Sequence, residues 1–401
     1  MKNNLLSCLA VLGLLLSACT SDDTADIVIN DNSVINNNGG GGNSNNPQTI
    51  FLSGTFTEDL DLDANNTYKV NGSLIMAAGT TLRIPAGMTI EALAAGSDVY
   101  IAISQGASIE AIGTADNPIV FTSDASAPAA GDWGGLILLG SAPINSVTGA
   151  ATATSEIASL PYGGDSPTDS SGTLRYVRVQ YSGGSADGQS ENNGFSFYGV
   201  GSGTSVQYIQ VYEGKDDGVE FFGGTVNADF VSVINSQDDS IDWTEGYSGT
   251  ITNAYVEHGA EHDKGIEADG YNTDIGNNSS PIFWSNPTVN NITIVGNGSG
   301  TGNEAIRLRA GTQGTFNNVE LVGFAEGFDL DGDAGAMSDN PTGTHVLNGD
   351  LTVTDVLFTD VTLQVKNDTG ETFMDSDFLS GIGNGTGTDY ASWGAGWTVG
   401  N

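Results

Sequence analysis

The stretch DDGVEF at Asp216–Phe221 returns 22 residues later as DDSIDW at Asp238–Trp243. In both copies, two acidic residues and one small residue precede an alternation of apolar and polar residues, which is typical of a β-strand. A repeat of roughly 20 to 25 residues without helical periodicity indicates a solenoid, because one turn buries its apolar side chains only by stacking on the next. Related copies lie at Asn192–Phe197, Asp263–Ala268, Asn303–Leu308 and Ala325–Leu330.

The first apolar position of this motif predicts the core. Successive turns of a parallel solenoid lie about 4.8 Å apart, so equivalent residues stack directly on one another. The sequence therefore predicts an all-β fold, a parallel β-helix solenoid, whose core contains one column of apolar side chains: Val219, Ile241, Ile266, Ile306 and Phe328.

A second motif alternates with the first along the chain. It contains Thr or Ser, then an apolar residue, any residue, Asn, Asp or Tyr, and two further apolar residues separated by one position. Asn and Asp tolerate left-handed backbone angles, so the fourth position predicts a bend within the strand. The copies lie at Thr173–Val179, Ser205–Val211, Thr250–Val256, Thr288–Ile294, Thr315–Leu321 and Thr352–Phe358, with a looser one at Thr225–Val233.

The N-terminal half carries related segments at Ile109–Thr114, Ala115–Ser123 and Trp133–Leu136. Together with Leu174–Tyr181 and Asp217–Gly224, these segments resemble the right-handed parallel β-helix lipoproteins of Bacteroidota, over roughly residues 66–400. The resemblance implies a right-handed, pectate-lyase-like solenoid and no particular reaction. A pair of β-sandwiches is the competing architecture, and the regular spacing of the first motif favours the solenoid.

The N-terminus has the zones of an export signal. Lys2 precedes an apolar run at Leu5–Leu16, which is too short to span a bilayer comfortably, and the run ends in Leu16-Ser17-Ala18-Cys19. This ending resembles the lipobox of bacterial lipoproteins, which implies cleavage after residue 18 and a lipid on Cys19 that anchors the chain in the outer membrane. An ordinary signal peptide with a chance cysteine is the alternative interpretation.

The residues after the cysteine predict where the protein is displayed. Ser21, Asp22 and Asp23 resemble the signal that sends lipoproteins of Bacteroidota to the cell surface; a plain polar linker is the alternative. Asn30–Pro47 is almost entirely Asn, Gly, Ser and Asp, which cannot bury apolar area. We therefore predict a signal peptide at 1–18, a lipidated, disordered tether at 19–48 and a single β-helix domain at 49–401.

The composition excludes several classes of function. The chain has 49 acidic and 10 basic residues and a net charge of −39, which repels nucleic acid and anionic membrane surfaces and attracts cations. Its two cysteines are Cys8, which leaves with the signal peptide, and Cys19, which carries the lipid. The mature chain therefore has no disulfide and no zinc–cysteine site.

The polar position inside the first motif predicts a column of carboxylates on three successive turns, formed by Glu220, Asp242 and Glu267 and continued by Arg307 and Asp329. Neighbouring carboxylates repel by about 3 kcal/mol at an effective dielectric constant of 20, which calcium relieves with oxygen ligands. Ca²⁺ is the predicted cofactor, and a solvated acidic ladder without an ion is the alternative. Asp217 and Asp239 are expected one corner away as further oxygen donors.

A catalytic hypothesis rests on the order of Asp217, Asp238, Asp239, His258 and Arg307, which resembles that of polygalacturonase-type glycosidases. Paired carboxylates serve there as acid and base. In a calcium-dependent lyase, Lys264 or Arg307 abstracts a proton instead. The pattern departs from the glycosidase family, since Glu257 and Gly259 flank His258 and Arg307 is followed by Leu308-Arg309.

Two segments exceed the repeat, Tyr271–Pro287 and Asp331–Gly349, and long loops are where solenoids carry binding sites. Tyr271, Phe283 and Trp284 are candidate platforms for sugar rings, or alternatively a cover over the solenoid. The leading hypothesis is a surface module that binds glycans. The alternatives are a calcium-dependent polysaccharide lyase or glycoside hydrolase, and a structural surface protein.

Overall fold

A computed structural model describes residues 47–145, 151–186, 191–272, 283–301, 303–332 and 341–400. The predicted signal peptide, Cys19, the export residues Ser21, Asp22 and Asp23, and nearly all of the tether lie outside the described residues. No helix within the described ranges is long and apolar enough to cross a membrane.

The chain is built almost wholly of short strands. The N-terminal strands are β1 (Thr49–Phe56), β2 (Leu60–Asp61), β3 (Thr67–Met76), β4 (Thr81–Ile84), β5 (Thr89–Ala92), β6 (Ile101–Ile103), β7 (Ser108–Ile112), β8 (Ile119–Ser123) and β9 (Leu136–Leu139). A small antiparallel pair follows, β10 (Ala153–Thr154) and β11 (Pro161–Tyr162). The central strands are β12 (Gly172–Gln180), β13 (Phe195–Tyr198), β14 (Ser205–Tyr212), β15 (Val219–Phe222), β16 (Asn227–Ile234), β17 (Ile241–Thr244), β18 (Thr250–Glu257) and β19 (Ile266–Asp269).

The C-terminal part adds longer strands and three short helices. The strands are β20 (Thr288–Val295), β21 (Glu304–Arg309), β22 (Gly314–Asp331), β23 (Leu351–Asp368) and β24 (Leu379–Ile382). The helices are α1 (Thr342–Asn348), α2 (Asp375–Phe378) and α3 (Tyr390–Trp393).

All strands except β10 and β11 form one 22-stranded sheet, and the strand pairings within it are parallel. Each strand pairs with its equivalents one turn before and one turn after, so the strands form three stacks around a common core. The third stack contains β6, β9, β13, β15, β17, β19 and β21. This topology is a parallel β-helix and confirms the predicted fold class.

The predicted bend is present in each copy of the second motif. Its fourth residue has a left-handed backbone, with φ between 51° and 61°, and this bend joins the first stack to the second within one strand. Asn318 donates a side-chain hydrogen bond to Asn291 at 2.9 Å, and Asn291 donates one to Asn253 at 3.2 Å, so the amides form a ladder between turns. The left-handed residues are Tyr176, Tyr208, Phe230, Asn253, Asn291, Asn318 and Asp355.

The predicted apolar column is also confirmed. Strand register pairs its members in order, and each is at most 1% exposed: Val219, Ile241, Ile266, Ile306 and Phe328. The small residue of the motif has a steric reason. A Cβ added to Gly218 would lie 2.5 Å from both the carbonyl oxygen of Ser240 and a methyl carbon of Val233.

Residues 383–400, here called the C-terminal strap, run back along the outside of the solenoid. Asn384 contacts Asp355 on β23, and the Tyr390 ring stacks on Tyr255 of β18 with centroids 3.9 Å apart. Trp397 then reaches β12, where its carbonyl oxygen accepts a hydrogen bond from Arg178 at 2.6 Å. The strap therefore links the last turns to turns near the middle of the chain.

Candidate acidic pocket

A cavity of about 450 Å³ opens on the outward side of the third stack. Ten carboxylates, three basic side chains and one amide line it, so a strong excess of negative charge faces the cavity. The lining residues are Glu156, Glu191, Asn193, Asp216, Asp217, Glu220, Asp238, Asp239, Asp242, Asp263, Lys264, Glu267, Arg307 and Arg309.

The repeat explains why these groups converge. The acidic pair of each motif immediately precedes a strand of the third stack, and the predicted column lies at the second residue of that strand. Strand register aligns Glu220 with Asp242, Asp242 with Glu267, and Glu267 with Arg307. Glu220 and Asp242 are partly buried and Glu267 is 8% exposed, so the interpretation as a solvated ladder is wrong.

Asp217 and Asp239 belong to the same cluster rather than to a neighbouring corner, which corrects the sequence prediction. The side chain of Asp217 accepts a hydrogen bond from the backbone N–H of Asp239 at 3.0 Å. One turn later, the side chain of Asp239 accepts one from the backbone N–H of Lys264 at 2.7 Å. These bonds hold both carboxylates against the sheet beside the column.

One end of the pocket is neutralised by the protein itself. Lys264 is 5% exposed, and its Nζ lies 2.6 Å from Asp263, 3.0 Å from Glu267 and 3.5 Å from Asp239. Burial alone lowers the pKa of Lys264, but the charges of these three carboxylates outweigh it and raise the pKa above its usual value. Lys264 therefore remains a cation, and its predicted role as a proton-abstracting base is wrong.

Two arginines complete this end. Arg309, which the sequence analysis did not identify as a site residue, pairs with Glu267 and donates from Nε to Asp269 at 2.6 Å. Arg307 donates from Nε to Asp331 at 2.7 Å. Arg307 thus lines the pocket as predicted, but as a guanidinium engaged with carboxylates, which argues against a role as a base.

The other end has carboxylates without basic partners. Among the ion pairs formed by the described residues, none involves Asp216, Asp217, Glu220 or Asp242. Asn193 donates a hydrogen bond to Glu220 at 2.6 Å, which satisfies one oxygen. The charge of this end therefore remains largely uncompensated.

Burial raises the pKa values of these carboxyl groups. For Asp216, burial followed by the charges of Glu191 and Asp238 raises the pKa to about 8. For Asp217 and Glu220, burial and then the charge of Asp242 raise the pKa well above its usual value. Without a cation, this end of the pocket holds protons at pH values where exposed carboxyl groups are ionised.

This protonation predicts an unusual pH dependence of stability in the presence of a chelator. From the ordinary pKa of Asp, 3.8, up to about 8, the folded chain binds more protons at Asp216 than the unfolded chain does. The free energy of unfolding therefore falls as pH rises, by about 1.4 kcal/mol per pH unit for each such carboxyl group. Thermal melts from about pH 5 to 8 should show a falling Tm and a shallower slope in Asp216→Asn. A Tm that rises over this interval would contradict the assignment.

Several groups of carboxylates can hold a metal ion. Within each group, one oxygen from each residue lies within 4.8 Å of the others. The groups on the pocket are Asp216 with Asp217 and Asp238, Asp217 with Glu220 and Asp242, Asp238 with Asp239 and Asp263, and Asp239 with Asp242 and Glu267.

His258 does not line the pocket. Its ring is 5% exposed and lies 4.3 Å from the ring of His262 and 5.4 Å from that of Phe324, centroid to centroid. Burial, followed by the charge of His262, lowers the pKa of His258 to about 4. The structure therefore does not bring His258 together with the carboxylates, as the catalytic hypothesis required.

The predicted aromatic platform is largely covered. Tyr271 is 1% exposed, so a role for it in stacking on sugars is wrong. Trp284 is half-buried, with its ring 6.1 Å from Tyr271 and 5.8 Å from His345, and Phe283 is also half-buried. These contacts favour the interpretation that the aromatics cover the solenoid. Residues 273–282 and 333–340 of the two long segments lie outside the described residues.

A parallel β-helix with an acidic cavity on its flank is the class of protein that the fold and the site define. A family model described as a pectate-lyase-like β-helix domain matches residues 54–398. The chain therefore belongs to the pectate-lyase-like β-helix family. Searches of curated proteins and of solved structures returned no match.

Proposed function

We propose that this chain is a lipid-anchored cell-surface protein that binds glycans at the acidic pocket with the help of a divalent cation. The observation that carries the proposal is the uncompensated end of the pocket, where Asp216, Asp217, Glu220 and Asp242 converge. A cation bound there presents free coordination positions to the hydroxyl or carboxylate oxygens of a sugar. The fold supports the proposal, because a solenoid offers a rigid flank along which a linear polymer can lie.

The test is binding to a glycan array in calcium and in chelator. We expect wild-type protein to bind a defined set of glycans in calcium and to lose at least tenfold in affinity in chelator or in Asp242→Asn. Asp116→Asn is the matched control, because it removes an equal charge from an exposed residue outside the pocket. Equal binding by the wild type and Asp242→Asn would place the glycan site elsewhere.

Glycoside hydrolysis is a second candidate function, and one observation favours it. Oxygens of Asp216 and the exposed Asp238 lie within 4.8 Å of each other, and burial raises the pKa of Asp216 to about 8. A protonated carboxyl group beside an exposed one is the arrangement that acid–base cleavage of a glycosidic bond needs. New reducing ends that disappear in Asp216→Asn would establish hydrolysis, and unsaturated products would indicate a lyase. If neither binding nor turnover is detected, a structural surface protein remains as the third interpretation.

The proposed display at the surface makes a separate prediction. Cys19→Ala should abolish labelling by a fatty-acid analogue and release or mislocalise the protein, because the cysteine thiol is the site of lipid attachment. Changing Ser21, Asp22 and Asp23 together to Ala should preserve the lipid but protect the protein from protease added to whole cells. Persistent labelling of Cys19→Ala would exclude the lipid anchor, and continued digestion of the triple variant would exclude the export signal.

A further inference from the structure

Asp217, Asp239 and Lys264 occupy the same place in three successive repeats, the second residue of the motif. Their backbones are linked alike, because the N–H of Asp239 donates to the side chain of Asp217 and the N–H of Lys264 donates to that of Asp239. The two steps from turn to turn are therefore equivalent, and the surroundings of one position can be mapped onto the next.

In the last of these repeats, the protein supplies its own cation. The ammonium group of Lys264 lies between the equivalent residue of the preceding turn, Asp239, the residue before it, Asp263, and the column residue of its own turn, Glu267. Three carboxylates from two turns thus surround one positive charge in a site that is almost closed to solvent.

One turn earlier, the corresponding three carboxylates are Asp217, Asp238 and Asp242, while Asp239 stands where the lysine would be. The surroundings are therefore repeated, but the charge supplied by the second residue of the motif is reversed. Glu220 adds another carboxylate, and its oxygen lies within 4.8 Å of oxygens of Asp217 and Asp242.

An independent observation at this position is the carboxyl group of Asp216. Asp216 is 7% exposed and lines the cavity, and its Oδ2 is buried without a hydrogen-bond partner among the described residues. Leaving such an oxygen unsatisfied costs about 1–3 kcal/mol, and more when the group is charged. The oxygen therefore points to a ligand that contributes positive charge to this end of the cavity.

We propose that a divalent cation binds at this position between Asp217, Glu220 and Asp242, with Asp216 beside it, and that Lys264 fills the equivalent position one turn later. The predicted set of Glu220, Asp242 and Glu267 is thereby changed, because Glu267 is already paired with Lys264 and Arg309. The inference rests on the proposed function by specifying where its cation is held.

The number and type of groups favour a divalent metal ion over an organic ammonium ligand. Asp216, Asp217, Glu220, Asp238 and Asp242 bring five carboxylates, against three around Lys264. One ammonium group offsets a single charge and donates only three hydrogen bonds. Calcium accepts six to eight oxygen ligands in a flexible geometry, so carboxylates on successive strands can be joined by water and by a sugar.

The experiment is calorimetric titration of calcium into the full-length protein in detergent, without any glycan. We expect one calcium ion per wild-type chain and a rise in Tm with calcium. Asp217→Asn and Asp242→Asn should each weaken binding at least tenfold, whereas Asp116→Asn should leave it unchanged. Lys264→Met should bind one additional calcium ion, because it exposes Asp239, Asp263 and Glu267 to the solvent cation.

Absence of binding heat and of a Tm shift at millimolar calcium would overturn the proposal, as would unchanged affinity in both Asn variants. A Tm rise with spermidine but not with calcium would identify an ammonium site instead. The Asn variants nearly preserve side-chain shape, so they decide the question even if Lys264→Met does not fold. Calcium binding without glycan binding would reject the proposed function and leave this site standing.

Discussion

Ile241→Asp is expected to unfold the turn around β17 and to abolish the cooperative native transition at moderate temperature. Ile241 is 1% exposed and lies between Val219 and Ile266 in the apolar column. A carboxylate placed there has no charge partner inside the core, and its burial costs several kcal/mol in addition to the lost apolar contacts. Thermal and denaturant melts measure the loss.

Ile241→Val is the matched control, since it removes one methylene group and should cost about 1 kcal/mol. A Tm of Ile241→Asp within a few degrees of that of Ile241→Val would mean that residue 241 faces outward. That result would contradict the register of the third stack, and with it the position of Asp242 in the pocket.

Trp397→Ala is expected to be the most damaging substitution in the C-terminal strap, at about 3–5 kcal/mol of unfolding free energy. Trp397 is fully buried, with its ring 5.6 Å from Tyr176 and 6.0 Å from Tyr208, centroid to centroid. Its loss removes the cover from a stack of rings and releases the strap from several turns. Thermal melts and limited proteolysis with mass mapping of the C-terminal fragment measure the effect.

Leu347→Ala serves as the control, because Leu347 is 49% exposed on α1 and should cost little. If Trp397→Ala and Leu347→Ala had similar melting temperatures and similar protease patterns, the strap would not contribute to the stability of the solenoid.

The repeat determines what the sequence reveals about the fold. Equivalent positions recur at near-constant spacing, so the apolar column from Val219 to Phe328 and the left-handed bends at Asn253 and Asn291 could be predicted without coordinates. The C-terminal strap could not, because its contacts join Trp397 to residues more than 180 positions earlier and belong to no repeat. Its signal in the sequence is only the pair of tryptophans, Trp393 and Trp397.

The site was predicted in part for the same reason. Strand register places Glu220, Asp242 and Glu267 in a column, as their spacing indicates, but register does not reveal burial. The cavity exists because Glu156 and Glu191, from segments outside the regular repeat, join its lining. The sequence analysis also treated Lys264 as reactive, whereas the carboxylates of the neighbouring turn make it a fixed counter-ion.

The most direct test of the account is a crystal structure of the protein grown in calcium with an oligosaccharide that it binds on the array. We predict a metal-ion peak bound by Asp217, Glu220 and Asp242, with sugar oxygens contacting that ion within the acidic pocket. An oligosaccharide bound on another face, with no metal ion among these carboxylates, would contradict the account.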